Sequence, residues 1–102
     1  MPVVILRAEI LMPQARSLKQ KRGPLRSLKD RLRGIGASVA EVDHQELHAR
    51  AALEIAMAAR DAETAAELER KAESVIRRTR DAELLHLDRK VVEDWDGTEA
   101  WR

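Results

Sequence analysis

The chain has 102 residues and a formal charge of +1; 44% of its positions are apolar, and Trp95 and Trp101 are its only aromatic residues. That length supports one hydrophobic core and not two, and the core must be assembled from Leu, Ile, Val, Met and many Ala. Cysteine is absent, which excludes disulfide frameworks, thiolate zinc sites and thiol catalysis, and the near-neutral charge supplies no global field toward nucleic acid or membrane.

Charge is unevenly distributed, however. Between Arg16 and Arg33 eight bases stand against the single acid Asp30, whereas between Glu41 and Glu73 nine acids stand against four bases. A bipolar domain is expected. The apolar start, Val3 to Met12, is interrupted by Arg7 and Glu9 and has no basic leader. Neither a signal peptide nor a membrane span is expected there, and cytoplasmic residence is the default.

From Val3 to Met12 the hydrophobic period is two, with Val4, Leu6, Ala8, Ile10 and Met12 on one face, so a half-buried strand is predicted, ended by Pro13. Ser17, followed three residues later by Gln20, has the form of a capping box. Beyond it Leu18, Leu25, Leu28, Leu32 and Ile35 recur at helical spacing. Gly23-Pro24 disturbs this helix: either the regular helix begins at Pro24, leaving a separate basic turn before it, or a continuous helix bends there. Gly34 and Gly36 supply the stop.

A second strand is predicted from Ala37 to Asp43, followed by a turn or one helical turn from His44 to Arg50. Alternation of Leu53, Ile55 and Met57 with Ala52, Glu54 and Ala56 predicts a third strand. Asp61 is placed to cap a second helix, whose stripe of Ala65, Leu68, Ala72, Val75 and Ile76 runs to about Arg78. Residues 82–93 complete a fourth strand. The expected organisation is a single domain over residues 1–93 with a C-terminal tail at 94–102. Its order is βαββαβ: an α+β, ferredoxin-like domain with a four-stranded antiparallel sheet and two helices on one face.

The runs Ser17-Leu18-Lys19-Gln20-Lys21-Arg22 and Val39-Ala40-Glu41-Val42-Asp43-His44-Gln45-Glu46-Leu47, with Arg50-Ala51, resemble the YlxP-like family of uncharacterised bacterial proteins over roughly residues 3–93. That family is similar in length, has ferredoxin-like members and is often encoded near translation factors and a ribosome-binding factor, which implies a ribosome or RNA connection. The chain departs from the family pattern at His48, where a tryptophan is expected, and at Gly23-Pro24, where an uninterrupted helix is usual. The resemblance supplies no catalytic residues.

Arg16, Lys19, Lys21, Arg22 and Arg26 form the best binding candidate, because neutralising several phosphates releases counterions. The bland alternative is a solvated helix face. Base stacking on the bare sheet face is not expected, since strand alternation puts Glu9, Glu41, Glu54, His86 and Asp88 there and no aromatic residue. The same face is assigned Val3, Ile5, Leu11, Val39 and Leu84, a mixture suited to self-association as a homodimer. Asp43, His44, Glu46 and His48 are candidate metal ligands, but polar residues structuring a turn are the simpler reading, and neither a metal nor a cofactor is expected. Glu41 and Asp43, two apart on one strand, are a candidate carboxylate pair with no visible pocket. Ser17 is explained as a cap. The function expected is that of a non-enzymatic accessory protein, with the ribosome or RNA association that the resemblance implies, and the alternative is a homodimeric protein-interaction module without nucleic-acid binding.

Overall fold

A computed structural model describes residues 1–92, so the tail expected at 94–102 lies outside the described residues. In chain order the elements are β1 (Val3–Leu11), α1 (Leu18–Gly34), β2 (Ser38–Asp43), β3 (Arg50–Ala58), α2 (Ala62–Arg78) and β4 (Glu83–Val92). The strands form one antiparallel sheet in the order β2-β3-β1-β4. This is the ferredoxin-like α+β arrangement that strand alternation and helical spacing predict.

The core lies between the helices and one sheet face. Along β1 the side chains of Val4, Leu6, Ala8 and Ile10 are fully buried, and they meet Met57, Ile55, Leu53 and Ala51 of β3 directly across the ladder. Leu25, Leu28 and Leu32 of α1 and Ala65, Ala72 and Ile76 of α2 close the other side. Each large aliphatic group so buried contributes about 1.5–3 kcal/mol.

Pro24 lies within α1, which runs unbroken through it. Ser17 is the N-cap: its Oγ accepts the Gln20 amide at 3.1 Å, while the Gln20 side chain reaches back to the Arg16 amide at 2.7 Å, one residue before the cap. At the far end Gly36 donates to the Arg33 carbonyl and Ala37 to the Leu32 carbonyl, with Gly36 at φ +91°. That pairing is a Schellman stop, and its left-handed residue favours glycine. Asp61 caps α2 by accepting the Thr64 amide at 2.7 Å.

Two edge strands depart from simple alternation. In β2, Val39 and Glu41 lie opposite Ile55 and Leu53 and therefore face the helices, not the open face. A register shift between Glu41 and Asp43 then returns Asp43 to the open side. In β4 a shift opposite Glu9/Ile10 sets Leu84 against Ile10 on the helix side, while His86 and Asp88 stay on the open face opposite Glu9 and Arg7. The expected open-face placement of Val39, Glu41 and Leu84 is thus corrected: a bulge advances the chain by one residue and exchanges the two faces, and a six-residue strand has no internal signal of its phase. Each edge also holds one charge on the helix side that is tied to a helix, largely buried at Glu41 and exposed at Arg89. Glu41 meets Lys21 of α1 at 2.9 Å, and Arg89 meets Glu69 of α2 at 2.6 Å.

Candidate nucleic-acid interface

At 100° per residue, Lys19, Arg22, Arg26, Lys29 and Arg33 of α1 fall on an arc of about 80° and extend for about 21 Å along the helix. Lys19, Arg22, Arg26 and Arg33 are exposed and Lys29 is half-buried. Arg33 pairs with Asp30 at 3.4 Å. The other four, together with the exposed Arg16 ahead of the helix, form no salt bridge with any described residue. The arc borders the buried stripe on the flank beside the β2 edge, where Arg22 lines a shallow groove of about 240 Å³ with Leu18, Lys21, Leu25, Glu41 and Gln45.

Lys21 does not belong to this surface. It is 3% exposed, and its Nζ donates to Glu41 Oε2 at 2.9 Å and to the His44 carbonyl at 3.0 Å. On the helical wheel it stands about 120° from the centre of the arc, in line with Leu28 and Leu32 of the core stripe. Of the five residues expected from the sequence, Arg16, Lys19, Arg22 and Arg26 share the solvent side and Lys21 is a buried anchor. Lys29 and Arg33 join the four. Their spacing of three and seven from Arg26 is the signal, and it lies within the helix whether or not Pro24 begins it.

The anchor organises the turn between β2 and β3, which is not helical. His44 adopts a left-handed backbone at φ +62°. Its amide donates to Asp43 Oδ1 at 2.8 Å, and its carbonyl accepts from Lys21 and from the Leu47 amide at 3.0 Å. Nε2 of its ring lies 3.0 Å from Glu9 Oε2 on the open face. His48 goes elsewhere, donating from Nδ1 to the Ala15 carbonyl at 2.8 Å, because a carbonyl oxygen only accepts. The two histidines do not share a ligand sphere, and among the described residues no three His, Asp or Glu side chains gather to hold a metal ion. Glu41 and Asp43 lie on opposite faces of the sheet, which dissolves the expected carboxylate pair.

On the open face Arg7 lies between Glu9 and Asp43, at 3.8 Å from each, and 4.0 Å from Glu54, while Arg50 reaches Glu9 at 3.6 Å. Nε of Arg50 is buried without a partner among the described residues. Val3, Ile5 and Leu11 lie on this face, as expected. None of the helices described is long and apolar enough to cross a membrane.

Sheet order, two helices on one face and a charged open face define an α+β domain of the ferredoxin-like class. Residues 3–89 match the family described as protein of unknown function, DUF503, and the chain belongs to that family. No curated protein matches. Among solved structures the chain is similar to the de novo designed protein Ferredog-Diesel, with a TM-score of 0.46 and 13% identity over 89% of this chain and 84% of that one.

Proposed function

We propose that the protein is a non-enzymatic accessory factor that binds RNA, in the setting of the ribosome, through the exposed cations of α1. The observation that carries this reading is the arc of Lys19, Arg22, Arg26 and Lys29, which makes no ion pair with a described residue, with Arg16 beside its N-terminal end. A straight row of cations matches a phosphate backbone, which rewards charge at regular intervals and asks nothing of base identity. Single-strand readers depend on aromatic platforms. This chain has none among the described residues, so the reading favours the backbone of helical RNA. The resemblance noted in the sequence supplies the ribosomal setting.

The test is binding to ribosomal subunits and to total RNA across a salt series. Four or five neutralised phosphates of a duplex give a slope of log affinity on log salt of about −3.6 to −4.5. Replacing Lys19, Arg22, Arg26 and Lys29 with Glu, leaving the buried Lys21 in place, abolishes saturable binding. Binding that persists in this variant, or that ignores salt, overturns the proposal.

A further inference from the structure

The open sheet face is divided along the strands. One end carries the charged group around Arg7 and Glu9, and the other is apolar at its centre, with Val3 and Ile5 projecting from β1 beside the small side chains of Ala56 and Ala58 on β3 and the exposed Lys90 of β4 at its margin, opposite Ile5. Between Ile5, Ala40 and Ala56 lies a hollow of about 300 Å³. We propose that this face is the contact between two copies of the chain, stacked face to face about a two-fold axis running parallel to the strands between β1 and β3.

Sheet order selects the axis. In β2-β3-β1-β4 the centre falls between β3 and β1, so this rotation lays each β1 on the second copy's β3. Register then decides which residues meet. Val3 pairs with Ala58, Ile5 with Ala56 and Arg7 with Glu54 across the ladder, so the members of each pair stand at one height. After the rotation Val3 sits over the second copy's Ala58, Ile5 over its Ala56, and Arg7 over its Glu54. Both large apolar groups meet a small one, and the cation meets an anion, twice over by symmetry. An angle of about 30° between stacked sheets turns about the sheet normal, so with the crossing point at Ile5 the rows of Val3 and Arg7, about 7 Å away along the strand, shift sideways by about 3.5 Å, less than one strand spacing.

Size is consistent with a modest dimer. Four strands at about 4.8 Å and about 30 Å of strand length project about 570 Å², and a pleated face has more accessible area than its projection. That reaches the roughly 600 Å² per partner at the lower end of specific interfaces. The helices remain on the outside, so the cations of α1 stay accessible and this inference does not depend on RNA binding.

The experiment is sedimentation velocity over a concentration series. Wild type is expected to move to twice its 11.6 kDa chain mass at micromolar concentrations. Ala56→Arg places a long cation in a gap of about 10 Å between sheets. The residue is exposed in the single chain, so the fold is retained while dimer affinity falls at least tenfold. Arg7→Glu and Glu54→Arg each set like charges face to face and give monomers. Mixing the two variants restores a dimer, because positions 7 and 54 of one variant then face the opposite charge at positions 54 and 7 of the other across the interface. Wild type that stays monomeric up to about 100 micromolar, which would put any dissociation constant above about 10⁻⁴ M, overturns the proposal. So does a dimer that survives Ala56→Arg, or a mixture that fails to associate.

Discussion

Replacing Lys21 with Met keeps the aliphatic stem and removes the ammonium. The Lys21 side chain is 4% exposed and that of Glu41 16%, so the substitution strands a largely buried carboxylate. The His44 carbonyl keeps the Leu47 amide as a partner, and the cost therefore falls mainly on Glu41. Breaking a buried pair from one side costs about 3–5 kcal/mol, and the residual exposure of Glu41 places this case near about 3 kcal/mol. For a domain of this size that lowers Tm by about 12–24 °C. The companion variant, Lys21→Met with Glu41→Leu, removes the stranded charge and is expected within about 1 kcal/mol of wild type. Urea unfolding followed by far-UV circular dichroism measures both. A single variant as stable as wild type, or a double variant no better than the single, would refute the assignment of Lys21 as an ion-pair anchor.

Two glycines two residues apart respond in opposite directions. Gly34 is helical with open space where a Cβ would stand, so Gly34→Ala gains about 0.5–1 kcal/mol, while Gly36→Ala forces a side chain onto φ +91° and loses about 1–2 kcal/mol. Equal signs in denaturant titration would contradict the Schellman assignment. Pro24→Ala restores an amide donor to the interior of α1 and is expected to raise the urea midpoint, by about 1–3 kcal/mol in stability; an unchanged midpoint would show that the ring's packing offsets the missing bond. At α2, the Thr64 backbone amide, then its hydroxyl, then the Arg60 charge hold the Asp61 carboxyl below the usual range. A depressed folded value means that its contribution is present above about pH 4 and lost as pH falls through that lower value. The advantage of wild type over Asp61→Asn should therefore shrink in thermal melts taken from about pH 5 down to about pH 3, spanning ordinary carboxylate titration. A constant difference would remove the charge from the account.

The parts legible from sequence are those where one periodicity spans a whole element. In β1 nine residues alternate without a break, and in α2 the apolar stripe follows a clear cap, so type and facing both emerge. In β2 and β4 a bulge exchanges the faces partway along, and nothing in Val39, Glu41 or Leu84 records it. The candidate interface is half visible for a related reason. Charge density around Arg16 to Arg33 is plain in the sequence, but the phase of Lys21 against Arg26 across Pro24 is not, so sequence alone groups Lys21 with cations it does not accompany; the places of Lys29 and Arg33 beside Arg26 follow from helical spacing alone. Burial of Lys21 depends on Glu41, distant in the chain, and on which face of β2 that residue occupies.

The helix-side charges of β2 and β4 bear on how assembly stops. An edge strand offers unpaired amides and carbonyls to any extended chain, and sheets grow into filaments when nothing interrupts that offer. Here each edge is bent by a bulge and holds a charge that its own helix already satisfies. A strand added along either side would meet a ladder that is out of step. Lateral growth is discouraged at both ends of the sheet, whereas the proposed stacking through the open face would be closed by its two-fold symmetry after a single event, giving a pair of copies and no polymer.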